Sequence, residues 1–257
     1  MGRANVAVVL AFVTVLGTAS ASYAQLGGWV SGNAVFTTPA VTTTTQTDSF
    51  RCCSPGFTGT FDSKAVYETP GQIAADVGAG LRLGHFGVGL AVSRYSNDQV
   101  GTISFSVPHP SFVGRPATAS GATQSPMTQN ELGVHLEARY IANLPHMSFA
   151  VFAGPSYLKT TRSLVSDFRY SSILGATTQN FTVSLTGDTT NDYTVSKWGF
   201  NLGVDAGYYF GENFGIGGLA RYARARIDLP NPLDSPTATQ PYDLGGLSVG
   251  GGLRFRF

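Results

Sequence analysis

The chain has 257 residues, 16 basic against 15 acidic groups, 32 glycines, 17 Phe, 11 Tyr and two cysteines, with 12% charged residues. A balance this close to neutral leaves no electrostatic footprint for nucleic acid, and two cysteines are too few for a disulfide framework or a zinc fold. The length suits one large domain or two small ones.

Residues 1–24 read as a secretory signal: Arg3, an apolar core from Val6 to Leu16, then small residues ending in Ser22-Tyr23-Ala24, with Ala19-Ser20-Ala21 as a competing cleavage site. That core is shorter than the roughly 20 residues of a spanning helix, and no later run approaches that length. The mature part, 25–257, must reach a membrane, if it does, without helices.

From Gln25 onward the dominant period is two, the period of strands. Val30, Gly32, Ala34 and Phe36 share one face of a first strand and Trp29, Ser31, Asn33 and Val35 the other. Ile73 to Leu83, Phe86 to Val92, Leu132 to Tyr140 and Phe149 to Tyr157 alternate in the same way, as do Trp198 to Phe210 and Phe214 to Tyr222, where Arg224 and Arg226 break the pattern. In the final stretch, Leu247, Val249, Gly251, Leu253, Phe255 and Phe257 oppose Ser248, Gly250, Gly252, Arg254 and Arg256. The count is about eight strands.

The connectors alternate as well. Gly84-His85, Leu144-Pro145-His146 and Gly211-Glu212-Asn213 are tight turns, whereas 37–70, 106–125, 167–191 and 230–241 are long segments rich in Thr, Ser, Pro and Gly. Short turns at one end and long loops at the other are the layout of an all-β, eight-stranded antiparallel up-and-down transmembrane β-barrel with long extracellular loops. A soluble barrel or sandwich has the same period with the apolar face turned inward. Volume separates the two: one face carries Trp198, Phe200, Phe149, Tyr157, Phe214, Phe255 and Phe257, the other mostly Gly, Ala, Ser and Asn. Because eight strands leave an interior just wide enough for side chains, the small face belongs inside and the bulky face toward lipid. Aromatics beside the short turns then form one interfacial girdle, and Trp198, Tyr157 and Tyr222 serve the other.

With these features the chain resembles the small outer-membrane β-barrel superfamily of Gram-negative bacteria, of the OmpA transmembrane-domain, OmpX and opacity-protein type, across essentially all of the mature sequence. The family's last strand is its assembly signal, and Gly252, Phe255 and Phe257 match it, while Gly250 stands where a polar residue is expected. The resemblance implies an outer-membrane location, contact with outer-membrane lipid and with the outer-membrane assembly machinery, and a monomer.

The inward charges form the candidate lumen network: Asp76, Arg82, His135, Glu137, Arg139, Asp205, Arg221 and Arg254, with Arg256 beside them. Carboxylates and arginines in a narrow lumen must pair, since an unpartnered buried charge is costly. The plain reading is a structural plug; the sharper one is a narrow solute channel gated by rearranged pairs. Catalysis is not expected. Gly246-Leu247-Ser248-Val249-Gly250 fits a nucleophile elbow only in spelling, since that motif needs a strand-to-helix turn. His146-Met147-Ser148 resembles the His-x-Ser of lipid A deacylase barrels but sits in a short turn, with Phe149 in place of the Asn that follows. A lipid-modifying enzyme is therefore the third reading, after anchor and channel. Cys52 and Cys53, in an exported chain, are a candidate disulfide, either local or between molecules. No cofactor, metal or nucleic acid is expected.

Ile103, Phe105 and Val107, like Phe181, Val183 and Leu185, keep alternating beyond the roughly 9 to 11 residues that a membrane strand needs. Strands are thus expected to rise above the membrane as a sheet, a natural surface for an extracellular ligand or a host surface. The function predicted is a barrel anchor that displays such loops for structural or adhesive roles.

Overall fold

The structure, a computed structural model, describes residues 26–41, 43–52, 59–112, 115–125, 127–175, 180–235 and 237–257. The expected signal segment and the Cys52–Cys53 pairing lie outside the described residues. The elements in order are β1 (Leu26–Pro39), β2 (Thr43–Cys52), β3 (Gly59–Glu68), β4 (Gln72–Leu83), β5 (Phe86–Gln99), β6 (Gly101–Val107), β7 (Ala117–Ala122), β8 (Met127–Asn143), β9 (Met147–Leu174), β10 (Phe181–Tyr209), β11 (Phe214–Pro230) and β12 (Thr239–Arg256).

Eight of these strands form a ring in the order β1-β12-β11-β10-β9-β8-β5-β4, antiparallel at every junction, with β1 paired to both β12 and β4. Each ring strand thus pairs with its sequence neighbours in the ring, the simplest connection available to alternating strands. At the seam Gly28 N donates to Phe257 O at 2.7 Å and Phe257 N to Gly28 O at 3.1 Å. At the short-turn end Gly84 turns the chain with φ 59°, a left-handed conformation that favours glycine.

The remaining strands make a four-stranded sheet, β2-β3-β6-β7, over the other end. The segments expected as loops at 37–70 and 106–125 instead contain the whole of β2, β3 and β7. The 167–191 segment is the far end of a hairpin of 28 and 29 residues made by β9 and β10. The alternation seen at Ile103–Val107 and Phe181–Leu185 belongs to these elements.

Two cores follow. Around the ring the outward face is a belt of exposed apolar side chains, with Ile73 79%, Phe86 70% and Trp198 69% exposed. Beyond the belt the dressing reverses. On β11, Phe214, Ile216 and Tyr222 face out and Gly215, Gly217 and Arg221 face in; farther along, Arg224, Arg226 and Asp228 face out while Ala225, Ile227 and Leu229 are buried. Arg224 and Arg226 therefore continue the alternation; what changes is the medium each face meets. The upper interior is a conventional core in which Phe61, Tyr67, Ile103, Phe105, Leu164, Ile227 and Leu244 pack between the four-stranded sheet and the extended ring strands. Phe61 stacks on Phe105 and on Phe168 of the hairpin, while Tyr170 meets Phe61 and Phe105, and Phe105 meets Phe168, at tilted angles. Each such side chain contributes about 1.5–3 kcal/mol on burial, which holds this head against the ring.

Candidate functional site

The lumen charges come from five strands, β4, β8, β10, β11 and β12, each placed inward by the period of two. Glu137 on β8 is fully buried and sits between two guanidinium groups: Arg139 Nη2 lies 2.7 Å from Oε2 and Arg221 Nη2 lies 2.6 Å from Oε1. Arg221 on β11 also pairs with Asp76 on β4. Asp76 accepts from Asn33 Nδ2 of β1 at 3.0 Å, Asn33 Oδ1 accepts from Arg254 Nη1 of β12 at 2.6 Å, and Arg254 Nε donates to Asp205 of β10 at 3.0 Å. The result is one chain, Arg139–Glu137–Arg221–Asp76–Asn33–Arg254–Asp205, that crosses the lumen with three guanidinium groups and three carboxylates. Each guanidinium meets a carboxylate in charge-assisted hydrogen bonds, the strong kind.

Of the predicted set, six residues belong to this chain and three stand apart. His135 is held between Ser93 Oγ at 3.0 Å and Ser156 Oγ at 2.8 Å and forms no ion pair among the described residues. Arg82 lines a small cavity of about 40 Å³ near the short-turn end, and Arg256 stacks its guanidinium 4.0 Å from the Tyr209 ring while donating to Glu212 O at 2.6 Å. Above the network a cavity of about 20 Å³ lies among Glu131, His135, Arg221 and Ser248. Such spaces hold a few waters at most.

The expectation that small side chains fill the lumen needs a correction. Trp29, Phe152 and Tyr209 point inward and are buried. Trp29 lies over Arg139, 3.6 Å from ring centroid to Cζ, and Phe152 has Arg139 at 5.0 Å and Arg221 at 5.5 Å, so the aromatics brace the cations. Trp29 fits because its neighbours across β4 and β5 are glycines: a Cβ at Gly80 would lie 2.7 Å, and one at Gly89 2.4 Å, from the indole. Inward glycines facing the one large inward residue of β1 were the available signal. Asn201 was likewise missed. Its Nδ2 donates to Leu136 O, Gly154 O, Pro155 O and Ser156 Oγ at 2.9–3.2 Å, where the β8–β9 ladder skips the pairs opposite Pro155, a residue with no N–H to give.

A second polar cluster lies under the head. Arg162, fully buried, donates to Thr44 Oγ1 at 2.9 Å and Thr69 Oγ1 at 3.2 Å, with Tyr67 and Tyr242 rings 5.5 and 5.3 Å from its Cζ. The Tyr67 hydroxyl donates to Gln46 and accepts from Val165 N at 2.9 Å, and burial raises the pKa of its phenol. Below it, Gln129 Nε2 donates to Tyr95 Oη at 2.9 Å and Tyr95 donates to Glu131 at 3.0 Å. This cluster ties β2 and β3 to the ring strands and closes that mouth.

The outer face of the four-stranded sheet carries an open groove of about 630 Å³. Cross-strand pairing sets Thr47, Lys64, Ser104 and Ser120 in one row and Ser49, Asp62, Ser106 and Thr118 in the next. These rows are hydroxyls with one base, Lys64, and one acid, Asp62; Asp48, Phe105 and Ala119 also line the groove. His146 and Ser148 lie at the opposite end of the molecule, beside the turn between β8 and β9, where the imidazole ring neighbours Tyr208.

Phe255 on β12 and Phe257 just beyond it, the residues expected to form an assembly signal, face outward with ring centroids 6.1 Å apart, and a Cβ at Gly252 would lie 1.8 Å from Gly32 O.

No protein-family model and no curated protein matches the chain. Solved structures do. They include Neisserial surface protein A, at 13% identity over 90% of this chain and 97% of that one with a TM-score of 0.40. The outer membrane protein OprG from Pseudomonas aeruginosa matches at 11% over 90% and 95%, TM-score 0.43. Ail, the attachment invasion locus protein of Yersinia pestis, matches at 12% over 91% and 99%, TM-score 0.38. The likeness seen in the sequence, to small outer-membrane β-barrel proteins, is the likeness these comparisons return.

Proposed function

We propose that this chain is a monomeric outer-membrane surface protein whose ring is a plugged transmembrane anchor and whose working part is the folded head. The observation that carries the reading is the reversal of side-chain polarity at one level around the ring. Below that level the outward residues are apolar over about seven to eleven positions per strand, close to the roughly nine to eleven of a tilted membrane strand. Directly above it stand Thr38, Arg94, Asn130, Lys159, Ser196 and Arg224. Lipid is the partner that such a belt needs. The Tyr157–Trp198 pair, rings 5.4 Å apart, marks the upper interface, and Phe86, Tyr140, Tyr208 and Phe210 the lower.

A charge-balanced network with every cation paired favours anchor over channel, because opening a path would separate buried charges. The hydroxyl-lined groove is the surface we assign to an extracellular polar ligand or host surface. Phe255 and Phe257, exposed at the last strand's end, are the handle for the assembly machinery.

The test is placement in cells. An epitope inserted between Asn231 and Thr237 is expected to be stained on intact cells, and one in the turn at 211–213 only after permeabilisation. Recovery of the chain as soluble periplasmic protein, or staining of both sites on intact cells, overturns the reading. Liposomes carrying the protein are expected to exclude small sugars; swelling would favour the channel.

A further inference from the structure

The outward face of β5, β8, β9 and β10 changes character row by row just above the belt. Cross-strand pairing aligns Val92, Val134, Tyr157 and Trp198 in one row. The next row is Arg94, Leu132, Lys159 and Ser196, and the one above it Ser96, Asn130, Thr161 and Thr194. The sequence of surfaces is hydrocarbon, then cations, then hydroxyls and an amide. Arg94 and Lys159 flank Leu132, so their Cα atoms stand about 10 Å apart across two strand spacings, within reach of one anion for two long side chains. Both are exposed and form no salt bridge among the described residues; the nearest acids on that face, Asp98 on β5 and Asp192 on β10, are two rows further up. Arg224 differs: its guanidinium is held by Asp243 at 2.6 Å. Among the described residues the opposite rim has no counterpart, for its outward end positions are Leu83, Phe86, Tyr140, Phe149, Phe214 and Phe257.

We infer that Arg94 and Lys159, with Asn130 between them one row up, form a lipid site for the phosphate of an anionic glycolipid in the leaflet on the head side. Its acyl chain lies over Leu132, Val134 and Tyr157 and its sugar hydroxyls meet the Ser96–Thr194 row. Two cations converging on one phosphate give charge-assisted hydrogen bonds at the edge of a low-dielectric layer, where they weigh more than in water. The site rests on the membrane reading above and adds an orientation to it: the leaflet facing the head is the phosphorylated one.

The test titrates the full chain, folded in neutral detergent micelles, with diphosphoryl lipid A, and counts bound lipid by native mass spectrometry. The wild type is expected to retain lipid A and to release it as salt rises. An Arg94→Gln/Lys159→Gln double variant, altered only at exposed positions and checked for folding by circular dichroism, should bind roughly 10- to 30-fold more weakly, about the weight of two cations against anionic headgroups. Arg224→Gln should match the wild type, and phosphatidylcholine should not distinguish the proteins. Equal lipid A binding by wild type and double variant, an equal loss with Arg224→Gln, or displacement by millimolar inorganic phosphate overturns the site. Insertion into phosphatidylcholine vesicles, read by protection from protease, reports on the membrane reading separately, since it does not depend on either cation.

Discussion

The ring and the head are built with the same alternation and opposite dressing. In the ring, Arg221 and Glu137 are buried and Leu202 and Val204 exposed; in the head, Ile227 and Leu229 are buried and Arg226 and Asp228 exposed. A single strand, β11, passes from one regime to the other without slipping register. The period of two therefore assigns faces, whereas the surroundings decide which face must be apolar.

The sharpest way to break this contrast is to remove the cation that the lumen shares. Arg221→Ala leaves Asp76 and Glu137 facing each other, and urea unfolding of the protein in vesicles should register a loss of about 3–5 kcal/mol; a loss under 1 kcal/mol would mean that the network does not bear on stability. In the head the equivalent damage is a void. Ile103→Ala should cost about 2–4 kcal/mol of head stability and speed proteolysis within β2, β3 and β6 while the ring stays protected.

Outward positions test the reversal directly. Leu202→Arg on the belt should cost about 2–4 kcal/mol, while Arg226→Leu, outward on the head, should stay within about 0.5 kcal/mol; equal costs would mean that both faces meet the same medium. The neighbour of Leu202 is a finer probe. Asn201→Ser removes an amide that serves three carbonyls, so a loss of about 1–3 kcal/mol is expected, larger than its inward, small-side-chain setting alone suggests.

Much of this was readable in the sequence, and for a physical reason. Strand faces follow from alternation alone, so Leu247, Val249 and Leu253 could be set opposite Ser248 and Arg254 before any coordinates. Turn lengths gave the order of the ring. The inward acids and bases could be named, but not their partners, because partners come from strands up to 221 residues apart in sequence, as with Asn33 and Arg254. Trp29 escaped because a rule of small residues inside describes an average, and one large ring was needed where Gly80 and Gly89 leave room. The head escaped in part because its strands are rich in Thr and Ser, whose composition reads as loop when the burying partner lies elsewhere in the chain.

β9 and β10 each run as one strand from the ring into the head, paired along their length with two register irregularities, at Leu185–Gly187 and Thr189–Thr190; at about 3.3 Å per residue each is roughly 90 Å long. Traction applied at the far tip travels along their backbones and arrives at β8 and β11 as shear, loading many perpendicular bonds together instead of peeling them singly. The hairpin is thus a mast stepped into the hull: whatever grips its tip pulls on the whole anchorage.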